Sequence, residues 1–158
     1  MEIIYQTIGY LVTAFDNPEE MPIQPCSRLV KPGHAVIEPE YFEGLKDIET
    51  FSHVILIYHF HRRTKTSLRV KPFLDQEERG VFATRAPVRP NAIGLSIVKL
   101  VKIEENRLYF ENLDMLNGTP LLDIKPYVPE FDQPSEATSG WLSALKDTTM
   151  IVSDKRFE

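Results

Sequence analysis

The sequence predicts a mostly β fold: a small barrel, closed or nearly closed, carrying short helices. Three observations point there. Twelve prolines and seven glycines break 158 residues at short intervals, which suits short strands better than long helices. Residues 52–61 (SHVILIYHFH) are dense in β-branched and aromatic side chains, the composition of a pleated, half-buried strand. Residues 95–104 and 107–113 form two further strand-like runs around a short turn at Glu105-Asn106, the pattern of a hairpin.

In chain order, residues 3–13 (IIYQTIGYLVT) read as a first strand. Residues 16–27 carry three prolines and read as a loop. Residues 34–38 can form a short strand. Residues 39–50 hold one or two helical turns, with Tyr41, Leu45 and Ile48 at helical spacing. The strand at 52–61 leads into a long basic loop at 62–80, and such length usually signals function or mobility. After the hairpin, a strand is expected near 120–124. Residues 139–146 suggest a short terminal helix with Ser139 as N-cap. The whole chain, 1–158, reads as one domain, with its core at 5–130 and a short extension at 131–158.

Composition narrows the function classes. Hydrophobic residues make up 42% and charged residues 26%, ordinary for a globular domain with a real core. No apolar run reaches the length of a membrane span, and the N-terminus lacks the features of a signal peptide. Cys26 is the single cysteine, which excludes an internal disulfide and fits a reducing, cytoplasmic setting. No Gly-x-Gly occurs, so a dinucleotide-type phosphate turn and a P-loop are both missing. A nucleoside cofactor would therefore bind outside a Rossmann fold.

The net charge of −5 hides an asymmetry. Residues 61–102 hold ten Lys and Arg against three acids, and the remainder holds eight against twenty. Arg62, Arg63, Lys65, Arg69 and Lys71 fall within eleven residues that contain no acid. Such a segment can meet a polyanion through its phosphates. A solvated basic loop is the plainer alternative.

The most informative run is GVFATRAPVRPNAIGLS at 80–96. Arg85 and Arg89 stand between prolines that stiffen the backbone. Two guanidinium groups on a rigid loop suit a carboxylate or phosphate ligand. His53, His59 and His61 share strand parity, with His59 and His61 about 7 Å apart. They could line a pocket or, as a minor alternative, chelate a metal in a hydrolase. Asp114 to Pro120 (DMLNGTP) reads as a turn in which Asn-Gly supplies a positive φ. Asp123, Lys125 and Tyr127 share parity, so an extended backbone points them to one side. They could serve acid–base chemistry, or Asp123 could pair with Arg85 or Arg89.

Three blocks in order, GLKDIETFSHVILIYHFH at 44–61, GVFATRAPVRPNAIGLS at 80–96 and DMLNGTPLLDIKPYVP at 114–129, resemble the TsaA-like (TrmO) family. The resemblance implies a β-barrel that binds S-adenosylmethionine and acts as a homodimer. It implies methylation of the N6 nitrogen of threonylcarbamoyladenosine at position 37, next to the tRNA anticodon. Carried over by motif, the cofactor contacts would be Pro22, Ile23, Gln24, His61, Arg62, Arg85, Leu95 and the turn Asp114, Met115, Leu116, Asn117, Gly118 and Thr119. Arg89, Asp123, Lys125 and Tyr127 match positions assigned to substrate or catalysis. The basic stretch 62–71 would contact RNA, and no metal is implied. Ala92 stands where proline is frequent in related sequences. The competing reading is a cofactor- or nucleotide-binding module without methyl transfer, acting as a sensor or partner subunit.

Overall fold

The computed structural model describes residues 1–21, 31–73 and 75–144. Six strands form a closed barrel: β1 (Gly9–Val12), β2 (Lys31–Ile37), β3 (His53–His59), β6 (Ile93–Glu104), β7 (Arg107–Leu113) and β8 (Pro120–Pro126). Around the barrel the order is β1, β2, β7, β6, β3, β8, and every neighbouring pair is antiparallel. Closure leaves no barrel edge open to another chain. Outside it lies a two-stranded ribbon, β4 (Arg69–Val70) with β5 (Arg79–Gly80).

Strict alternation explains the barrel wall. On β3, Val54, Leu56 and Tyr58 point inward, and on β6 Ser96, Val98 and Leu100 do the same. Leu11, Ile37, Leu108, Phe110, Leu113 and Leu121 complete the core. Each such apolar side chain contributes about 1.5–3 kcal/mol by leaving water. Gly94 is required by close approach: a Cβ there would lie 2.2 Å from the Tyr58 ring.

Several expected elements shift. The first strand covers only 9–12, because its neighbours end: Gly9 already pairs with Ile37 of β2 and Leu121 of β8. Residues 1–7 are exposed. The helical turns at 39–50 are 3₁₀ segments, Pro39–Leu45 and Ile48–Thr50, with Tyr41, Leu45 and Ile48 packed on the core. The segment 62–80 is not a bare loop. It carries the β4–β5 ribbon, and Val70 buries with Val81, Ala86 and Val88 in a small second core. The terminal helix is a 3₁₀ segment at Gly140–Ala144, and residues from 145 onward lie outside the described residues.

One bulge governs the site. Ile57 pairs with Asp123 but Tyr58 pairs with Leu121, so Leu122 is an extra residue on β8. The bulge reverses the alternation. Leu121 faces the core, while Asp123 and Lys125 face outward beside Ile57 and Ile55.

Candidate functional site

The turn after β7 buries a carboxylate at one end of the barrel. Ser96 Oγ–H donates to Asp114 Oδ1 at 2.8 Å. That proton being committed, the Tyr58 hydroxyl donates to Ser96 Oγ at 3.1 Å. Burial pushes the Asp114 carboxyl up to about 6, against the opposing pull of the Ser96 bond and the Arg85 charge. Burial and the Asp114 charge together push the Tyr58 phenol above its ordinary range. Neither Tyr58 nor Ser96 stood out in the sequence; the available signal was a serine at an inward position of an otherwise apolar strand.

The rest of the turn is clasped by the segment after β1. Asn117 N–H donates to Phe15 O at 2.7 Å, and Gly118 N–H donates to Leu11 O at 2.8 Å. Gly118 has a φ of 74°, the left-handed conformation expected of Asn-Gly. Thr13 Oγ1 donates to Met115 O at 2.9 Å, and Asn117 Nδ2 donates to Asp16 Oδ1 at 3.1 Å. Arg62 donates to the Asp16 carbonyl at 2.7 Å. Thr119 Oγ1 spends its proton on Leu116 O at 2.7 Å, and His61 Nδ1 lies 3.4 Å from the same hydroxyl. Burial and the neighbouring Arg62 lower the His61 pKa, which favours the neutral ring at pH 7. Four expected contacts thus gather in one place: His61, Arg62, Arg85 through its charge on Asp114, and the 114–119 turn.

The arginines of the 80–96 run take different positions. Arg89 turns into its own loop, donating to Thr84 O at 2.8 Å and Val81 O at 3.2 Å. Arg63 donates to Arg89 O at 2.7 Å. Trp141 donates from Nε1 to Ala83 O at 2.8 Å, and Arg79 lies over its ring. The loop is therefore braced from both sides. Arg85 is the member of the pair whose charge reaches the buried Asp114–Tyr58 network.

Asp123 pairs with Lys125 at 2.8 Å, not with Arg85 or Arg89. The bulge at Leu122 is the reason, since it sends both side chains to the outer wall. Tyr127 follows them, its ring edge-on to His53 at 6.4 Å. Leu95, Ile57 and Asp123 form one row across β6, β3 and β8. With Ile93, Ile97 and Ile55 this wall presents an apolar face. His53 and His59 also point outward, while His61 lies beyond the strand end. Among the described residues no group of three or more His, Cys, Asp or Glu is placed to hold a metal ion. Pro22, Ile23, Gln24 and Cys26 lie outside the described residues. A groove of about 700 Å³ across β2, β6 and β7, lined by His34 and Tyr109 among others, contains none of the candidate residues.

Comparison with known proteins supplies the family. Residues 10–133 match the tRNA-methyltransferase O N-terminal domain. A protein of Pyrococcus abyssi named as a probable S-adenosyl-L-methionine-binding protein is 52% identical over 140 residues, 89% of this chain and 76% of that one. The human tRNA (adenine(37)-N6)-methyltransferase is 39% identical over 143 residues, 84% of this chain but 32% of the enzyme. The crystal structure of TrmO from Pseudomonas aeruginosa superposes with a TM-score of 0.75 at 37% identity, covering 89% of this chain and 63% of that one. The chain thus spans about a third of the human relative and under two thirds of the bacterial one. With the profile, the identities and the barrel in agreement, this chain belongs to the TrmO (TsaA-like) family.

Proposed function

We propose that the chain binds S-adenosylmethionine at the 114–119 turn and methylates the N6 nitrogen of threonylcarbamoyladenosine at tRNA position 37. The observation that carries this reading is the buried Asp114 carboxylate under the influence of Arg85. A carboxylate this deep needs a positive partner. Arg85 supplies part of it, and the cofactor's ammonium and sulfonium charges suit the remainder. The donor set fits in kind: Arg85 for the methionyl carboxylate, Asp114 for positive charge, and Met115 and Leu116 for apolar contact. His61, Arg62, Leu95, Asn117, Gly118 and Thr119 complete the proposed cofactor contacts, with Pro22, Ile23 and Gln24 assigned from the family motif alone.

When bound, S-adenosylmethionine supplies an electrophilic methyl carbon. The residues of the chain supply position and a proton acceptor. Arg89 braces the loop so that Arg85 is presented in one orientation, which lowers the entropy cost of alignment. Neutral His61 and Thr119 close the mouth of the turn. Asp123 accepts the proton that N6 loses, and Lys125 pairs with its carboxylate at 2.8 Å and orients it. Tyr127 orients the base beside them. Arg62, Arg63, Lys65, Arg69 and Lys71 contact tRNA phosphates. The apolar wall of Ile55, Ile57, Ile93, Leu95 and Ile97 packs against a second copy, which sets the Asp123–Lys125 pair at the subunit interface.

The test is transfer of labelled methyl groups from S-adenosylmethionine to tRNA with and without the threonylcarbamoyl group. The reading expects label on N6 of the modified base only, and at least a hundredfold less with Asp123→Asn. Cofactor binding with no transfer to either tRNA would favour the binding-module alternative. Near-wild-type turnover by Asp123→Asn would remove Asp123 as the base.

A further inference from the structure

We propose that Phe82 is a stacking platform for an unpaired base of the RNA substrate, an inference that rests on the tRNA reading above. Phe82 is 74% exposed, although it sits in a 3₁₀ turn (Val81–Ala83) whose neighbour Val81 is 1% exposed. The turn is thus anchored while its aromatic ring is left in water. Folding gains little from a phenyl group so placed.

The ring is nonetheless held. The Arg89 guanidinium lies over it, 5.8 Å from the centroid. Arg89 is itself fixed by the carbonyls of Val81 and Thr84. A ring ordered before binding loses little freedom when a base stacks on it. Leu68, also exposed, accepts the Val81 N–H through its carbonyl at 3.0 Å, so a second apolar side chain flanks the same turn.

The surrounding charge selects the partner. Arg69 pairs with Gly80 in the ribbon, two residues before Phe82. Lys65 and Lys71 have no ion-pair partner among the described residues. Of the nearby acids, Asp75 and Glu77 are taken up by Arg79 at 2.7 and 3.1 Å. Glu78 approaches Arg69 only to 3.7 Å, and both are largely exposed. An aromatic ring with Arg89 over it, on a turn tied to the basic stretch through the Arg69–Gly80 pairing, matches a polyanion whose bases offer open π-faces. Single-stranded nucleic acid has that chemistry; a duplex hides its faces. Arg85 follows three residues later, so a base stacked on Phe82 anchors RNA beside the cofactor loop.

The experiment compares binding of an anticodon stem-loop RNA and of an equal-length RNA duplex by wild type, Phe82→Ala, Phe82→Tyr and Lys65→Ala, each over a range of salt. Calorimetry with S-adenosylmethionine runs in parallel. Phe82→Ala should bind the stem-loop about tenfold or more weakly, with the salt slope unchanged, and Phe82→Tyr should restore affinity. Lys65→Ala should instead flatten the slope by about 0.7 to 0.9. Duplex binding and cofactor affinity should not change with Phe82→Ala. Wild-type-like stem-loop binding by Phe82→Ala overturns the proposal. So does a loss of cofactor affinity in that variant, which would assign the ring to the cofactor. Failure of wild type to bind either RNA would strike the tRNA reading itself, a distinct result.

Discussion

Asp114 sits where water cannot solvate its charge, and it keeps Ser96 and Tyr58 in line behind it. Its carboxyl titrates near 6 in the folded chain, against 3.8 for the ordinary group. Between those values the folded state holds a proton that the unfolded chain has released. Stability therefore falls as pH rises through this window, on the order of 3 kcal/mol in all, and the effect is constant above it. Asp114→Asn keeps the oxygen that accepts from Ser96 and removes the charge. The variant should be the more stable protein in urea at pH 8, with the difference closing below pH 4. A difference that does not vary with pH would contradict this account of the carboxylate. The same variant should bind S-adenosylmethionine poorly, as expected where function retains a destabilising group. Burial of this kind is invisible in a sequence, since DMLNGTP reads first as a turn. The turn chemistry was legible, and Gly118 has the positive φ that Asn-Gly implies.

At the scale of elements, local chemistry was legible and partners were not. The strand at β3 and the β6–β7 hairpin follow from residue type, and Glu105 adopts a positive φ of 53° at the turn. The first strand is shorter than residues 3–13 suggest, because its length depends on where β2 and β8 end. The ribbon within 62–80 is not legible in the sequence because two-residue strands carry no period; the small core of Val70, Val81, Ala86 and Val88 beneath it emerges only in the fold. The parity of Asp123, Lys125 and Tyr127 is real, but the bulge at Leu122 decides which side they face. Bulges are set by pairing across the barrel, which one strand's sequence does not record. Gly94 ties element to site. Gly94→Ala would drive a methyl group into the Tyr58 ring and displace the Tyr58–Ser96–Asp114 chain. It should lower stability by about 1–3 kcal/mol in urea denaturation and weaken cofactor binding as well. Gly44→Ala, with open space around it, should be neutral; equal effects from both would refute the packing argument.

The whole molecule is acidic yet holds one basic segment, 61–102, which runs through the stretch after β3, the ribbon and the 80–96 loop and ends with Lys99 and Lys102 on β6 of the barrel wall. Such an opposition of charge would steer an anionic partner toward the basic segment. Association with tRNA should weaken steeply as salt rises, and a flat response between 50 and 200 mM salt would exclude phosphate contacts as its source. On the wall formed by β6, β3 and β8, the exposed isoleucines and Leu95 should bring two copies together. Leu95→Lys should shift sedimentation from dimer to monomer; a wild-type monomer would contradict that proposal. No described helix is long and apolar enough to cross a membrane. The family placement accounts for the barrel, and the buried carboxylate accounts for why its ligand would carry positive charge.

Binding of S-adenosylmethionine by this turn and loop is best measured by calorimetric titration of wild type and of Arg85→Ala. Wild type should show saturable one-site binding, and the variant a response at least tenfold weaker. No heat from wild type, or equal affinity in both proteins, would contradict it.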